Sequence, residues 1–280
     1  MGYSYRKDGI YFHHTRDEVP DSVGFLMHAH ENFELYYFIS GNGTYFVEGN
    51  EYRLTPGCVL LLRPGETHMP QISPDEPYER MALHFSKSTL APVDPEFRLL
   101  RPYLERPGGR QNQYSAAQTD SRLIRACFDS MAHPFSDSDY DRRLAICSAF
   151  PVLLTQICAA FDARQNSTLQ TPQSLIGSVV DYINSNITAE LNLDLLSSRF
   201  YISKSYLNQQ FRQATGTTIW DYILLKRLIL ARSAIRSGVP VTNAFRASGF
   251  NDYSSFYRRY KNRFGISPKD DRPIREKGEE

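Results

Sequence analysis

Cysteine is scarce in this chain of 280 residues, and no two of its four copies form a Cys-x-x-Cys pair. Cys58, Cys127, Cys147 and Cys158 are therefore expected to be unpaired thiols in a reducing compartment, packed as small apolar side chains. Neither sign of charge dominates, with 32 Lys and Arg against 31 Asp and Glu. The longest continuous apolar runs, near residues 58–62 and 151–154, fall far below the ~18 residues needed to cross a bilayer. Residues 1–25 alternate polar and aromatic side chains and contain no apolar stretch of the kind a secretory signal needs, so a cytoplasmic protein without a membrane partner is expected. A Walker phosphate loop, a dinucleotide fingerprint and a Ser-His-Asp arrangement are also missing. No catalytic residue is assigned, and an enzyme is not expected.

Aromatic residues are plentiful, with 18 Tyr and 17 Phe, and hydrophobic residues make up 41% of the chain, as in an ordinary globular protein. The length suits two domains, each with its own core. The near-neutral total hides an asymmetry. Residues 1–171 hold 16 basic and 21 acidic side chains, whereas residues 172–280 hold 16 and 10. An acidic N-terminal part joined to a basic C-terminal part suggests that the latter meets a polyanion such as nucleic acid.

Short β-rich runs at 34–40, 44–48, 59–63 and 78–85 are separated by turn sequences such as Gly41-Asn42-Gly43 and Arg63-Pro64-Gly65, the pattern of an antiparallel barrel or sandwich. After Pro92 the periodicity becomes helical, over 120–131 and 139–161. Leu144, Cys147, Phe150, Leu154, Ile157 and Phe161 fall along one stripe that packs on the barrel or pairs with a second subunit, and Pro151 can kink or restart the helix. Residues 164–173 are polar and aperiodic, the expected linker. Everything after them is helix-patterned.

Two segments of this last part share one plan. In residues 191–212, Leu193, Leu196 and Phe200 make the apolar face of a short helix, and Ser203 caps a second helix whose core side is Leu207 and Phe211. Lys204, Ser205, Asn208, Gln209 and Arg212 are left on its outer face, with side chains of the kinds that bond base edges and phosphates in a major groove. Residues 241–265 repeat the arrangement. A turn at Gly249-Phe250 uses glycine where a left-handed residue is needed, and Asn251 or Asp252 starts a helix with core positions Phe256 and Tyr260. An offset of 49 then places Tyr253, Ser254, Tyr257, Arg258 and Lys261 opposite the outward set of the first unit. Residues 220–237 read as one connecting helix of roughly 27 Å, able to hold two reading helices about one DNA turn, ~34 Å, apart.

With these residues in view, residues 174–272 resemble the DNA-binding domain of the AraC family of transcription regulators. The resemblance rests on Ser203, Tyr206-Leu207, Phe211, Thr215-Gly216, Tyr222, the 227–231 stretch, Gly249-Phe250, Phe256, Tyr260-Lys261 and Phe264-Gly265-Ile266-Ser267-Pro268. Ser197 and Phe245 depart from the pattern, standing where a small Ala usually sits at the helix crossing. The bulk of Phe245 bears on the packing of the second unit and suggests a less intimate contact with DNA there.

His28-Ala29-His30-Glu31-Asn32-Phe33-Glu34 and Pro64-Gly65-Glu66-Thr67-His68 resemble the two motifs of the cupin fold, a small barrel that such regulators commonly carry as a sensor. His28 and His30 share one side of a strand, and Glu34 and His68 complete a three-His, one-carboxylate set suited to Zn, Fe, Mn or Ni. Regulators of the resembled type often keep these residues as hydrogen-bonding groups at the barrel mouth, so no metal or other cofactor is assigned. Alternation in 78–85 puts Tyr78, Arg80, Ala82 and His84 on one face. If that face lines the barrel, Arg80 and His84 join Tyr36 and Glu34 around a cavity. The candidate effector-binding residues are thus His28, His30, Glu34, Tyr36, His68, Arg80 and His84, with a chemistry suited to a sugar or another polar metabolite. His13, His14 and His133 are expected to be incidental.

The expected fold is α+β and multidomain. It comprises a cupin-like antiparallel β-barrel over 1–90, a helical dimerisation or connector region over 91–163, a linker over 164–173, and an all-α domain of two helix-turn-helix units over 174–272. The expected function is a sequence-specific regulator that binds double-stranded promoter DNA as a homodimer, answers to a small-molecule effector, and acts with RNA polymerase as a possible partner. The alternatives are a cupin metalloenzyme fused to a DNA-binding domain, and a regulator controlled by a protein partner.

Overall fold

A computed structural model describes residues 2–20, 26–165 and 174–272, and the chain divides into two compact units, 1–173 and 174–280. Among the described residues, the first unit holds nine strands: β1 Gly2–Lys7, β2 Ile10–Asp17, β3 Phe33–Ser40, β4 Gly43–Val47, β5 Asn50–Arg53, β6 Val59–Leu62, β7 His68–Ile72, β8 Tyr78–Phe85 and β9 Gln113–Tyr114. They form two antiparallel sheets, ordered β1-β2-β8-β3-β6-β9 and β5-β4-β7. An isolated bridge between His28 and His68 ties the segment before β3 to the smaller sheet. Strand ends shift slightly from the expected bounds for a local reason. Glu48 and Gly49 both take positive φ, 48° and 72°, in a two-residue turn joining β4 to β5, so Glu48 leaves the strand it was expected to end.

The inner face of the sheets is filled by Tyr36, Phe38, Tyr45, Val47, Leu54, Cys58, Leu60, Leu62, Ile72, Tyr78 and Ala82. The outer face of the larger sheet, with Leu35, Tyr37, Leu61, Met81, Leu83 and Phe85, is covered by helices. Two short helices, α1 Lys87–Leu90 and α2 Arg101–Leu104, precede the two long ones, α3 Ser121–Ala132 and α4 Asp139–Gln165. Asp120 caps α3 by accepting from the Leu123 amide at 3.0 Å. Phe128 of α3 stacks on Tyr37 with centroids 4.6 Å apart, and Phe150 of α4 packs on Phe85 at 4.5 Å. Each such buried ring contributes roughly 1.5–3 kcal/mol of transfer free energy.

The stripe expected on α4 is corrected in its first turns. Leu144 and Cys147 are exposed, and the buried face is instead Ile146, Ala149, Phe150, Leu153, Leu154, Ile157, Ala160 and Phe161. The helix runs unbroken through Pro151. It is apolar on both sides, and by length and composition it holds an 18-residue stretch able to cross a membrane, which short continuous runs in the sequence did not reveal. Its packing on the sheet makes it a core helix of this unit. Residues 166–173 of the expected linker lie outside the described residues.

The described part of the second unit is all helical: α5 Leu175–Ser185, α6 Leu193–Phe200, α7 Lys204–Thr215, α8 Ile219–Arg236, α9 Val241–Ala247 and α10 Tyr253–Phe264. Side-chain oxygens cap five of these starts, from Ser174, Asn192, Ser203, Thr218 and Asp252. Leu196, Leu207, Phe211 and Tyr222 are buried in the first half. Leu224, Leu228, Ala231, Ile235, Val241, Ala244, Phe250, Phe256 and Tyr260 form the core of the second.

Candidate functional site

In the first helix-turn-helix, α6 ends at Tyr201, a non-glycine residue held at φ 55°. Ser203 then starts α7, its Oγ accepting from the Tyr206 amide at 3.3 Å. With Leu207 and Phe211 fully buried, the rest of the helix surface carries Lys204, Ser205, Gln209 and Arg212, all exposed, and half-buried Asn208. Lys204 pairs with Asp194 of α6. Asn208 and Arg212 line a cleft of about 420 Å³ together with Leu191, Leu193, Trp220 and Ile223, so these two side chains stand on the flank of α7 that faces α6 and α8.

In the second unit, Gly249 takes φ +83° between α9 and α10, and Asp252 caps α10 by accepting from the Ser255 amide at 2.6 Å. Phe256 and Tyr260 are buried, and Tyr253, Ser254, Tyr257, Arg258 and Lys261 are exposed. Phe245 is accommodated without loss of the core. Its ring lies 5.3 Å from Tyr253 and 5.5 Å from Phe256, while its neighbour Ala244 supplies the small buried side chain. Arg246 and Arg259 add further exposed positive charge, which the offset of 49 residues did not single out.

In the β unit, imidazoles converge on one buried carboxylate. Glu34 Oε2 lies 2.8 Å from His30 Nε2, 3.6 Å from His68 Nε2 and 3.8 Å from His84 Nδ1. Strand register explains the meeting, because Glu34 of β3 pairs directly with His84 of β8, while His28 and His68 face each other across the isolated bridge. The His28 and His68 rings are 4.3 Å apart, and His30 lies 4.9 Å from both His68 and His84.

Hydrogen bonding fixes the tautomers. The Nδ1 atoms of His28, His30 and His68 lie 2.9, 2.8 and 2.8 Å from the carbonyls of Leu26, Asn32 and Glu66. A carbonyl only accepts, so each Nδ1 carries the proton, and the Nε2 atoms of His30 and His68 are left facing Glu34. Burial holds His68 neutral, with its pKa lowered to about 3, and lowers His84 as well. Burial also disfavours a charged His30, but the Glu34 hydrogen bond and charge outweigh it and leave its pKa raised. For Glu34 the burial penalty is overcome by the surrounding imidazoles, which hold its carboxyl well below the usual range. The resulting picture is a His30–Glu34 ion pair with the neutral imidazoles of His68 and His84 beside it.

The remaining expected site residues separate from this cluster. Tyr36 is buried, its hydroxyl 2.7 Å from that of Tyr78. Arg80, two residues before Ala82 on the same inner face, donates to Asp17 Oδ2 at 2.8 Å and lies over the Tyr78 ring at 4.4 Å.

Two family models match the chain: an AraC-like ligand-binding domain over residues 18–144 and a helix-turn-helix domain over residues 196–273. The chain belongs to the AraC family of transcription regulators. Among its relatives, the HTH-type transcriptional activator RhaS of Escherichia coli is 22% identical over 255 residues, covering 90% of this chain and 89% of its own. RhaS of Yersinia pestis is 25% identical over 259 residues, covering 90% of each. A solved structure, ToxT from Vibrio cholerae, is 14% identical and covers 94% of this chain and 97% of its own, with a TM-score of 0.36.

In this AraC-family chain, the sequence reading missed His13. It was expected to be incidental, yet it shares the inner face with Tyr11, pairs across from Ala82, and stacks on His84 at 5.8 Å. Burial lowers its pKa to about 4. The alternation of 10–17 carries that signal, since residues 11, 13, 15 and 17 must share a face. His14, on the opposite face, bonds Glu79 at 2.7 Å.

Proposed function

We propose that α7 and α10 read successive stretches of a promoter's major groove while a polar small molecule, such as a sugar, enters the β unit beside the histidine cluster and changes how the two helices are presented. The observation that carries this reading is the repeated α-helical plan. Each unit has two buried residues one turn apart, and an exposed polar and basic face opposite them, set by a capped N-terminus. Lys204, Ser205, Asn208, Gln209 and Arg212 are the first set of contacts, and Tyr253, Ser254, Tyr257, Arg258 and Lys261 the second. For the effector, His28, His30, Glu34, His68 and His84 supply convergent polar groups, to which we add His13, with Tyr36 and Arg80 deeper on the same face. The effector acts only through different affinities for two arrangements of the protein.

The regulator works in the cytoplasm as a homodimer, which the exposed apolar side chains Tyr140, Leu144 and Val152 on α4 support. RNA polymerase is its partner at the promoter, in keeping with relatives named transcriptional activators. Selection of bound genomic fragments by the full chain, followed by gel shifts, tests the reading. Asn208→Ala and Arg258→Ala are each expected to weaken specific binding by ~1–3 kcal/mol if they read a base. Unchanged affinity and sequence preference in both variants contradict it.

A further inference from the structure

The geometry points to a divalent first-row transition-metal site in the β unit, formed by His30 Nε2, the Glu34 carboxylate and His84, with His68 Nε2 beside it. This rests on the reading of the histidine cluster as the sensory site and gives that site its chemistry. Three observations support it independently. Donor atoms of His30, Glu34 and His84 all lie within 4.8 Å of one another. For metal–ligand bonds near 2.1 Å, neighbouring donors sit ~3.0 Å apart in octahedral and ~3.4 Å apart in tetrahedral geometry, and the separations from Glu34 Oε2 of 2.8, 3.6 and 3.8 Å bracket those values.

The second observation is the tautomers. Backbone carbonyls hold the Nδ1 protons of His30 and His68, which is the outer-shell arrangement that orients an imidazole to ligate through Nε2. The third is an orphan. His68 is fully buried, and among the described residues its Nε2 has no hydrogen-bond partner, although it faces a carboxylate 3.6 Å away. A buried acceptor turned toward another acceptor is unfavourable unless a cation or a proton lies between them. Side-chain exposure of 21% at His30 and 15% at His84, against 6% at Glu34, leaves the site open on one side for a coordinating effector. Imidazole and carboxylate donors without a thiolate suit zinc, nickel, cobalt or ferrous iron. The set differs from the one expected from the cupin-like motifs. His84 of β8 joins because register pairs it with Glu34, while His28 lies against the His68 ring.

The test is titration of the full chain, stripped with a chelator, with Co²⁺ followed by visible absorption, and then displacement by Zn²⁺. One equivalent of Co²⁺ is expected to bind and to be displaced. Glu34→Gln and His84→Ala should each weaken binding at least tenfold, with folding checked by circular dichroism, and His14→Ala should not change it. Absence of saturable one-equivalent binding by the wild-type chain overturns the proposal, as does wild-type affinity in His84→Ala. Calorimetry of the stripped chain against neutral monosaccharides separates the two readings. Heat of binding there, without any Co²⁺ site, removes the metal but leaves the effector reading standing.

Discussion

Gly249→Ala measures how strongly one turn controls the second reading helix. The residue sits at φ +83°, where an alanine costs ~1–2 kcal/mol from the left-handed backbone alone. An added Cβ would also lie 2.9 Å from the Thr188 Cα, 3.0 Å from Arg227 Nε and 3.1 Å from the Ile187 carbonyl oxygen. Two of those atoms are backbone and cannot swing aside. The third belongs to a buried guanidinium that donates to the carbonyls of Ile187 at 2.8 Å and Ala189 at 2.7 Å. Disturbing such charge-assisted bonds costs about 1.5–3 kcal/mol, so the expected total loss is ~3–5 kcal/mol. Gly238→Ala is the internal control, with φ +90° and nothing within 4 Å of the added Cβ. It should lose only the backbone part, ~1–2 kcal/mol. Urea unfolding followed by the fluorescence of Trp220, the single tryptophan and a residue of this unit, reads both variants. In a gel shift, Gly249→Ala should also weaken DNA binding more than Gly238→Ala. Equal loss of stability in the two variants would refute the steric argument.

Asp271 accepts from Arg232 Nε at 2.6 Å and from the Tyr260 hydroxyl at 2.8 Å; burial alone would raise its pKa, but these partners leave it lowered. Its stabilisation is therefore present above the ordinary Asp pKa of ~3.9 and is lost as pH falls below it. The Trp220 unfolding midpoint should drop more steeply on acidification in the wild type than in Asp271→Asn, and identical pH profiles would exclude this pair as a cause. Arg106 is buried in a fork on Glu66, at 2.7 and 2.8 Å, and holds the Glu66 pKa down to about 2 against its burial. Arg106→Ala is expected to cost ~3 kcal/mol by removing the two-pronged partner of a buried carboxylate that keeps, among the described residues, only Arg63, at 3.3 Å, as a cation beside it, read as a lower thermal midpoint of the β unit by near-ultraviolet circular dichroism. Leu83→Ala, fully buried between sheet and helices, should cost ~2–5 kcal/mol in the same assay, and a change below ~1 kcal/mol would mean that this face is not packed as described.

The helical unit was legible because its determinants are local. A cap such as Ser203 or Asp252 acts on amides two or three residues away, a turn glycine acts on its own φ, and core positions such as Leu207 and Phe211 recur within one helix turn. Long helices are less transparent when both sides are apolar. On α4 a stripe through Leu144 and Cys147 and a stripe through Ile146 and Ala149 are equally plausible by spacing, and only the position of the sheet selects the second.

The cluster in the β unit depends on long-range pairing, which is where reading from spacing stops. His28, His30 and Glu34 are close in sequence, so their meeting was expected. His84, 50 positions beyond Glu34, was expected beside it only on the condition that its face of 78–85 lines the barrel, and His13, 71 positions before His84, was not expected there at all. Both side chains arrive only through the pairing of β3 with β8 and of β8 with β2. The same pairing separates residues that chemistry had grouped. Tyr36 lies opposite Ala82, and Arg80 opposite Phe38, so each step of two along β8 moves a side chain farther from Glu34 and toward Tyr78 and Asp17. Register thus divides one set of polar candidates into a charged histidine end and a tyrosine–arginine end of the same inner face, and a ligand that touches both must extend along the strands instead of sitting at a single point.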